Sequence, residues 1–119
     1  MVFILGINFD ERRLVKKALQ SFYSLGPIAS DRIMAKFSIH KLAKLSSLTP
    51  KTVTSLTAEL SQMTIGSDAK RLVQQNIIRL KDNGSLRGRR HAMGLPVRGQ
   101  RTRTQTVSAN QFNQVERKH

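Results

Sequence analysis

The sequence predicts an all-α fold, in which a small helical body is followed by a long, extended, basic C-terminal arm. Apolar residues recur at helical spacing through most of residues 10–84, and no segment shows sustained strand alternation. After Gly84 this periodicity stops and arginines become frequent. A chain of 119 residues is long enough for one small domain plus an appendage. We therefore expect a helical body over 1–84 and an arginine-rich arm and tail over 85–119.

The first two helices are predicted from apolar spacing and from turn residues. The first is expected from Asp10 or Glu11 to Tyr23. Residues 24–27, Ser-Leu-Gly-Pro, end it, because glycine caps helices and proline cannot continue one. The second should begin near Ser30, a good N-cap residue, and its apolar positions are Ile33, Met34 and Phe37.

The third and fourth helices have clearer boundaries. Thr49-Pro50 predicts the start of the third helix, with threonine as N-cap and proline at the first helical position. Residues 65–68, Ile-Gly-Ser-Asp, separate it from a fourth helix that ends at Asn83-Gly84. The third helix should bury Val53, Leu56, Leu60 and Met63, and the fourth Ala69, Leu72, Val73, Asn76, Ile77 and Leu80.

The net charge of +14 is unevenly distributed. Residues 1–69 carry nine Lys and Arg against five Asp and Glu, whereas residues 70–119 carry twelve against two. Six arginines and His91 lie within 87–104, with no acidic residue among them. Guanidinium groups this close repel one another and need an external polyanion, and their planar forks match phosphate oxygens. Nucleic acid is therefore the predicted partner.

The composition also indicates how a nucleic acid would be held. No aromatic residue lies within 87–104, so phosphate contact and shape, which suit structured RNA, are favoured over base stacking. The fourth helix carries a basic face of Lys70, Arg71, Arg79 and Lys81. A solvated helix face is the ordinary explanation of such a pattern, but continuity with the arm favours contact with the same polyanion. The turn with Ser24 and Gly26, ahead of a helix N-terminus, is a second candidate phosphate site, although an ordinary helix connection explains it somewhat better.

Catalysis has little support in the sequence. Cysteine is absent, and His40, His91 and His119 are dispersed without metal-ligand spacing. Asp10 and Glu11 are the only adjacent carboxylates, and such neighbours do not face each other on a helix. We expect no enzyme activity, no catalytic residue, no metal and no cofactor. The longest apolar run, residues 1–5, is too short to span a bilayer, so no membrane partner is expected.

One motif resembles a known family. Two neighbouring stretches together resemble the signature of the small-subunit ribosomal protein S-thirteen family. They are Arg87-Gly88-x-Arg90-His91 and Gly-Leu-Pro-Val-Arg-Gly-Gln-Arg-Thr at 94–102. Gly6-Ile7-Asn8 resembles the opening of that family, and the turn at 23–26 resembles its helix-two-turns-helix element. Ile78-Arg79-Leu80 with Gly84 resembles the long helix before the arm. The likeness covers about residues 3–105.

The resemblance implies a structural protein of the small-subunit head. In the family, the arm binds small-subunit rRNA beside ribosomal protein S-nineteen, and the N-terminal body faces the large subunit in an intersubunit bridge. The extreme tail approaches tRNA in the peptidyl site. By matching position, the resemblance assigns rRNA contact to Arg87, Arg89, Arg90, His91, Arg98, Gln100, Arg101, Thr102 and Arg103.

The chain departs from the family at several positions. Ser24 replaces the first glycine of the usual Gly-x-Gly turn, and Ala92 stands where bacterial members usually have arginine. The tail after Thr104 keeps only Arg117, Lys118 and His119 as basic residues, so the family's contact with peptidyl-site tRNA is not carried over to this chain, and peptidyl-site tRNA stays an open partner. Residues 59–65 and this tail look more like fungal mitochondrial members, which predicts the small subunit of the mitochondrial ribosome in the matrix.

The alternative hypothesis is a free-standing helix-two-turns-helix protein that binds DNA, such as a nucleoid or repair protein. Repair glycosylases with a similar turn add a catalytic N-terminus and usually a Cys-type zinc finger, and neither occurs in this sequence. The two hypotheses differ in the partner, RNA or DNA, which an experiment can separate.

Overall fold

The computed structural model describes residues 1–113 and 115–117, so Lys118 and His119 lie outside the described residues. The chain forms two compact units, Met1–Ala69 and Lys70–His119. The described part is mostly helical, with six α-helices and one two-stranded sheet. The boundary between the units falls in the first turn of the fourth helix, Ser67–Asp82.

The first unit begins with a β-hairpin, so the expectation of an all-α fold is wrong here. β1 (Val2–Ile4) pairs antiparallel with β2 (Ile7–Phe9). The two turn residues, Leu5 and Gly6, have φ of 50° and 76°, as a tight type I′ hairpin turn requires. Strands of three residues are too short for a period-two pattern to stand out in the sequence, which is why the hairpin was not predicted.

The first helix, α1 (Val15–Gln20), is shorter than predicted. The residues before it form a local turn, in which the Asp10 carboxylate accepts a hydrogen bond from the Arg12 backbone N–H at 2.9 Å. The Val15 backbone N–H donates to the Ala43 carbonyl at 3.0 Å instead of bonding within a helix. Tertiary pairing with residues 43–45 therefore fixes where α1 begins.

The next two helices start at prolines. α2 (Pro27–Lys36) begins before the predicted Ser30, because Gly26 occupies the N-cap position and Ser30 is fully buried within the helix. α3 (Pro50–Ser61) starts as predicted, and the Thr49 side chain accepts a hydrogen bond from the Thr52 backbone N–H at 3.3 Å.

The core of the first unit is contributed by both strands and by all three helices. Phe9 and Phe22 meet edge to face, with ring centroids 5.9 Å apart. At the periphery, Lys16 pairs with Asp31 and Lys36 with Glu59. The core residues are Ile4, Phe9, Val15, Ala18, Leu19, Phe22, Leu25, Ile33, Met34, Leu45, Leu56, Leu60 and Ile65.

The expectation of an extended arm is wrong for most of residues 86–112. After α4 (Ser67–Asp82), the chain forms α5 (Leu86–Met93) and α6 (Thr102–Phe112). Gly94, with φ of 71°, ends α5 in a Schellman motif, in which the Leu95 backbone N–H donates to the Arg90 carbonyl at 3.0 Å. Residues 94–101 connect α5 to α6, and we call this segment the Arg98 loop.

The predicted inward face of α4 is confirmed only in part. Ala69 and Ile77 are buried, whereas Leu72 is 50% exposed and Asn76 is exposed. The helix ends where expected, because Gly84 adopts φ of 68°. Within residues 1–113 and 115–117, no helix has the length and apolarity needed to cross a membrane.

Candidate nucleic-acid interface

Five arginines of the second unit are exposed on consecutive elements. Arg87 and Arg89 lie on α5, Arg98 lies in the Arg98 loop, and Arg101 and Arg103 flank the start of α6. The predicted cationic residues of α4, Lys70, Arg71 and Arg79, are exposed as well. Residues 70–119 contain twelve basic and two acidic residues, so at least ten positive charges have no acidic counterpart there. Such a surface attracts phosphate oxygens.

Helix α5 is held close to α4 by Ser85 and Gly88. The Ser85 hydroxyl donates to the Leu80 carbonyl at 2.9 Å and accepts from the Gly88 backbone N–H at 3.2 Å. Gly88 is buried, and a Cβ atom there would overlap the backbone of Leu80 and Lys81. Glycine at this position thus permits a helix–helix contact, which leaves the side chains of Arg87 and Arg89 exposed.

Arg90 and His91 differ from the neighbouring arginines because they interact within the unit. The Arg90 Nε–H donates to the carbonyl of Pro96, which ties α5 to the Arg98 loop. His91 is 8% exposed, and burial lowers its pKa, as do the positive charges of Arg117, Arg87 and Lys81. The ring is therefore neutral near pH 7. This geometry agrees with a packing role for His91.

The Arg98 loop is fixed by its own polar side chain and by backbone turns. The Gln100 side-chain oxygen accepts a hydrogen bond from the Arg98 backbone N–H at 3.0 Å. Gly94 and Pro96 are buried, while Gly99 adopts φ of 81° on the exposed side. Gln100, predicted as an rRNA contact, therefore also shapes the loop that presents Arg98. Thr102 is exposed as the first residue of α6.

A cavity of about 520 Å³ lies within the second unit, between α4, the Arg98 loop and α6. Arg87 and Arg98 line it together with Phe112, which belongs to no sequence motif. The residues of α6 that face the cavity are Gln105, Ser108, Ala109 and Phe112, which have helical spacing. Only two of these four are apolar, so the pattern was too weak to predict the helix.

The turn that was the second candidate phosphate site lies in the first unit. Ser24 is exposed and adopts φ of 78°, a left-handed conformation that is unfavourable for serine. Gly26 is exposed at the N-cap of α2, where no side chain caps the helix. Since Pro27 has no N–H, the backbone donors of Ile28 and Ala29 form this helix terminus. They are oriented as in an anion-binding N-terminus.

The described residues contain no cluster of three or more His, Asp or Glu side chains that could hold a metal ion. His40 lies in an exposed segment of the first unit, whereas His91 is buried in the second. The third histidine, His119, lies outside the described residues. The candidate site is built from the exposed arginine side chains of α5, the Arg98 loop and α6.

Comparison with known proteins agrees with the motif at residues 87–102. The family model of ribosomal protein S13/S18 matches residues 3–107. Small ribosomal subunit protein uS13m of Neurospora crassa is 65% identical over 117 residues, which cover 98% of each chain. The uS13m protein of Schizosaccharomyces pombe is 41% identical over 118 residues, covering 99% of this chain and 78% of that protein. The chain belongs to the ribosomal protein S13/S18 family.

Proposed function

We propose that this chain is a structural constituent of the small subunit of the mitochondrial ribosome and binds rRNA of the subunit head through its second unit. The observation that carries the rRNA contact is the set of five exposed arginines on α5, the Arg98 loop and the start of α6. The mitochondrial placement is supported by the two fungal relatives, which are named as uS13m proteins. Membership of a ribosomal protein family confirms the prediction that the chain is not an enzyme.

The candidate residues divide into two groups by their geometry. Arg90 and His91 are at least partly buried and interact within the second unit, and Gln100, although exposed, holds the Arg98 loop, so these three residues orient the contact surface. The other candidate residues are exposed and make the phosphate contacts in this proposal. They are Lys70, Arg71, Arg79, Arg87, Arg89, Arg98, Arg101, Thr102 and Arg103.

The rest of the chain has separate roles in this proposal. Residues 85–119 bind rRNA beside protein S-nineteen, and residues 1–84 face the large subunit in an intersubunit bridge. The turn with Ser24 and Gly26 adds a phosphate contact from the first unit, supported by the uncapped N-terminus of α2.

Sedimentation tests the proposal directly. A tagged full-length chain, expressed in a fungus and recovered from isolated mitochondria, is expected to sediment with the small subunit and with the monosome. RNase treatment should abolish this co-sedimentation, and DNase treatment should not. Sedimentation with mitochondrial DNA that resists RNase would contradict the proposal and support the DNA-binding alternative.

A charge-matched pair of double variants tests the arginine surface. Arg98→Ala/Arg101→Ala is expected to reduce incorporation into small subunits, while the helical circular dichroism stays unchanged because both side chains are exposed. Arg12→Ala/Arg32→Ala removes the same charge from exposed positions of the first unit and serves as the control. For binding to purified small-subunit rRNA, the slope of log K against log salt concentration should be smaller in magnitude by about 1.4 to 1.8 in Arg98→Ala/Arg101→Ala than in the wild type. Equal effects of the two double variants would refute the assignment.

A further inference from the structure

We infer that the cavity of the second unit holds one unpaired nucleotide of the bound RNA, with its base against the apolar wall and its phosphate beside Arg87 and Arg98. This inference rests on the proposed function, since the RNA concerned is the rRNA that the second unit binds. It adds a mode of recognition to the arginine surface, because phosphate contacts alone do not distinguish a paired residue from an unpaired one.

The wall of the cavity offers a base an apolar surface. Val73, Ile77 and Leu80 of α4 lie on one side, and Pro96 of the Arg98 loop and Phe112 of α6 complete the lining. The Phe112 ring is 72% exposed, so a flat face is available without any rearrangement of the core. Unstacked bases bind to proteins by stacking on aromatic side chains of this kind.

The charge of the lining selects an anionic ligand. Arg87, Arg98 and Arg117 contribute to it, and none of the described lining residues is acidic. The Nε–H of Arg117 is buried without a hydrogen-bond acceptor among the described residues. The cationic side chains and the apolar wall match the two ends of a nucleotide.

Amide side chains add the means to contact a base edge. Asn76, Gln105 and Asn113 line the cavity, and each amide presents both donors and an acceptor. His91 also lines it and is neutral near pH 7 because burial and the nearby positive charges lower its pKa. A neutral imidazole likewise offers one donor and one acceptor.

The size and the form of the cavity restrict its occupant. A volume of about 520 Å³ is within the range of pockets that hold a single small ligand. Bases in a duplex are paired and stacked, so they present no free face to an aromatic ring. Only a residue that leaves the stack, as in a bulge or loop, can place its base against Phe112.

Duplex RNAs with and without one unpaired nucleotide test the inference. Affinities of the full-length chain are measured by fluorescence anisotropy for one fully paired duplex and for four duplexes that each carry a different single-nucleotide bulge. The wild type is expected to bind at least one bulged duplex about tenfold more tightly than the paired one, as loss of one base–aromatic stacking contact predicts. Phe112→Ala should abolish this preference and leave affinity for the paired duplex within about twofold.

Two matched controls separate the cavity from the surface around it. Val107→Ala changes another exposed apolar residue of α6, 69% exposed, that does not line the cavity, and it should retain the preference. Arg89→Ala should weaken binding to all duplexes equally, whereas Arg87→Ala should weaken binding to the preferred bulged duplex further. Circular dichroism of each variant checks that the helices are retained.

The possible results distinguish this inference from the proposed function. If the wild type binds paired and bulged duplexes equally, the inference is overturned while RNA binding stands. The same holds if Phe112→Ala keeps the preference, or if Val107→Ala loses it to the same extent. If no RNA binds, both the inference and the proposed rRNA contact fail.

Discussion

Gly88 packs directly against the carbonyl group of Leu80, so that no side chain fits between α5 and the end of α4. A Cβ atom at Gly88 would come closer than 3.0 Å to backbone atoms of Leu80 and Lys81. Backbone at this position cannot give way as a flexible side chain can. The contact fixes α5 at a short distance from α4, and it thereby sets the positions of Arg87 and Arg89.

Replacing Gly88 with alanine is expected to destabilise the protein by about 1–3 kcal/mol, the usual effect of overpacking. The sign of this change in the free energy of unfolding is informative. Wherever space is available, alanine stabilises a helix interior by about 1 kcal/mol relative to glycine, so destabilisation indicates a close contact. Urea unfolding of the full chain, followed by circular dichroism, measures the change. Met93→Ala, at a 59% exposed position of α5, is the control and should change stability by at most about 0.5 kcal/mol. A stabilising Gly88→Ala would contradict the contact.

The sequence predicted the parts of the fold that local residue chemistry determines. Thr49-Pro50 and Asn83-Gly84 mark helix ends through capping and through a left-handed glycine, so α3 and the end of α4 occur where expected. The start of α1 was predicted too early because it depends on a hydrogen bond from Val15 to Ala43, residues distant in sequence. No spacing rule detects such tertiary pairing.

The helices of the arm were missed for a related reason. The face of α5 that is buried contains Gly88 and His91, which are not apolar enough to form a stripe. Its N-cap, Ser85, satisfies the Gly88 backbone N–H and was the available signal. The arginines and the Arg98 loop are recognised from charge and motif, whereas the cavity depends on the tertiary arrangement of α4, the Arg98 loop and α6, which residue spacing does not encode.

Ser24 adopts a left-handed conformation that glycine tolerates better, so Ser24→Gly is expected to stabilise the chain by about 0.5–1.5 kcal/mol. The same substitution at Ser55, an exposed residue inside α3, is the matched control. Ser55→Gly should destabilise by about 0.5 kcal/mol because glycine is a poor helix former. Thermal unfolding of the two variants measures both signs. If Ser24→Gly destabilises the chain, the Ser24 side chain stabilises the fold by more than its left-handed backbone conformation destabilises it.

Stability is expected to fall as the pH is lowered through the ordinary histidine pKa of about 6.5, because the pKa of His91 is below that value in the folded chain. Between the folded-state and the unfolded-state pKa, the unfolded chain binds more protons at His91 than the folded chain does. The free energy of unfolding therefore rises with pH and reaches its full value above the ordinary pKa.

Urea unfolding at several pH values between 5 and 7.5 measures this dependence. His91→Gln should flatten it, since glutamine has no proton to gain. His40→Gln, at an exposed position, is the control and should leave the His91 contribution in place. If the free energy of unfolding of His91→Gln depends on pH as steeply as that of the wild type, groups other than His91 cause the pH dependence.

Arg89 and Arg90 are adjacent in sequence but are expected to have separable roles. The Arg90 Nε–H donates to the carbonyl of the buried Pro96, whereas Arg89 is exposed. Arg90→Gln should destabilise the chain by about 1–3 kcal/mol, because it leaves a buried carbonyl without its charged donor. Arg89→Gln should change stability by at most about 0.5 kcal/mol.

For RNA binding the ranking of the two variants should be reversed: Arg89→Gln should change the salt dependence, and Arg90→Gln should not. Loss of one phosphate contact in Arg89→Gln lowers the slope of log K against log salt by about 0.7–0.9. Arg90→Gln should leave that slope unchanged under conditions where the variant is folded, because its guanidinium is engaged within the unit. Urea unfolding and anisotropy titrations at several salt concentrations give both quantities for each variant. A reduced slope with unchanged stability in Arg90→Gln would instead identify Arg90 as the phosphate contact.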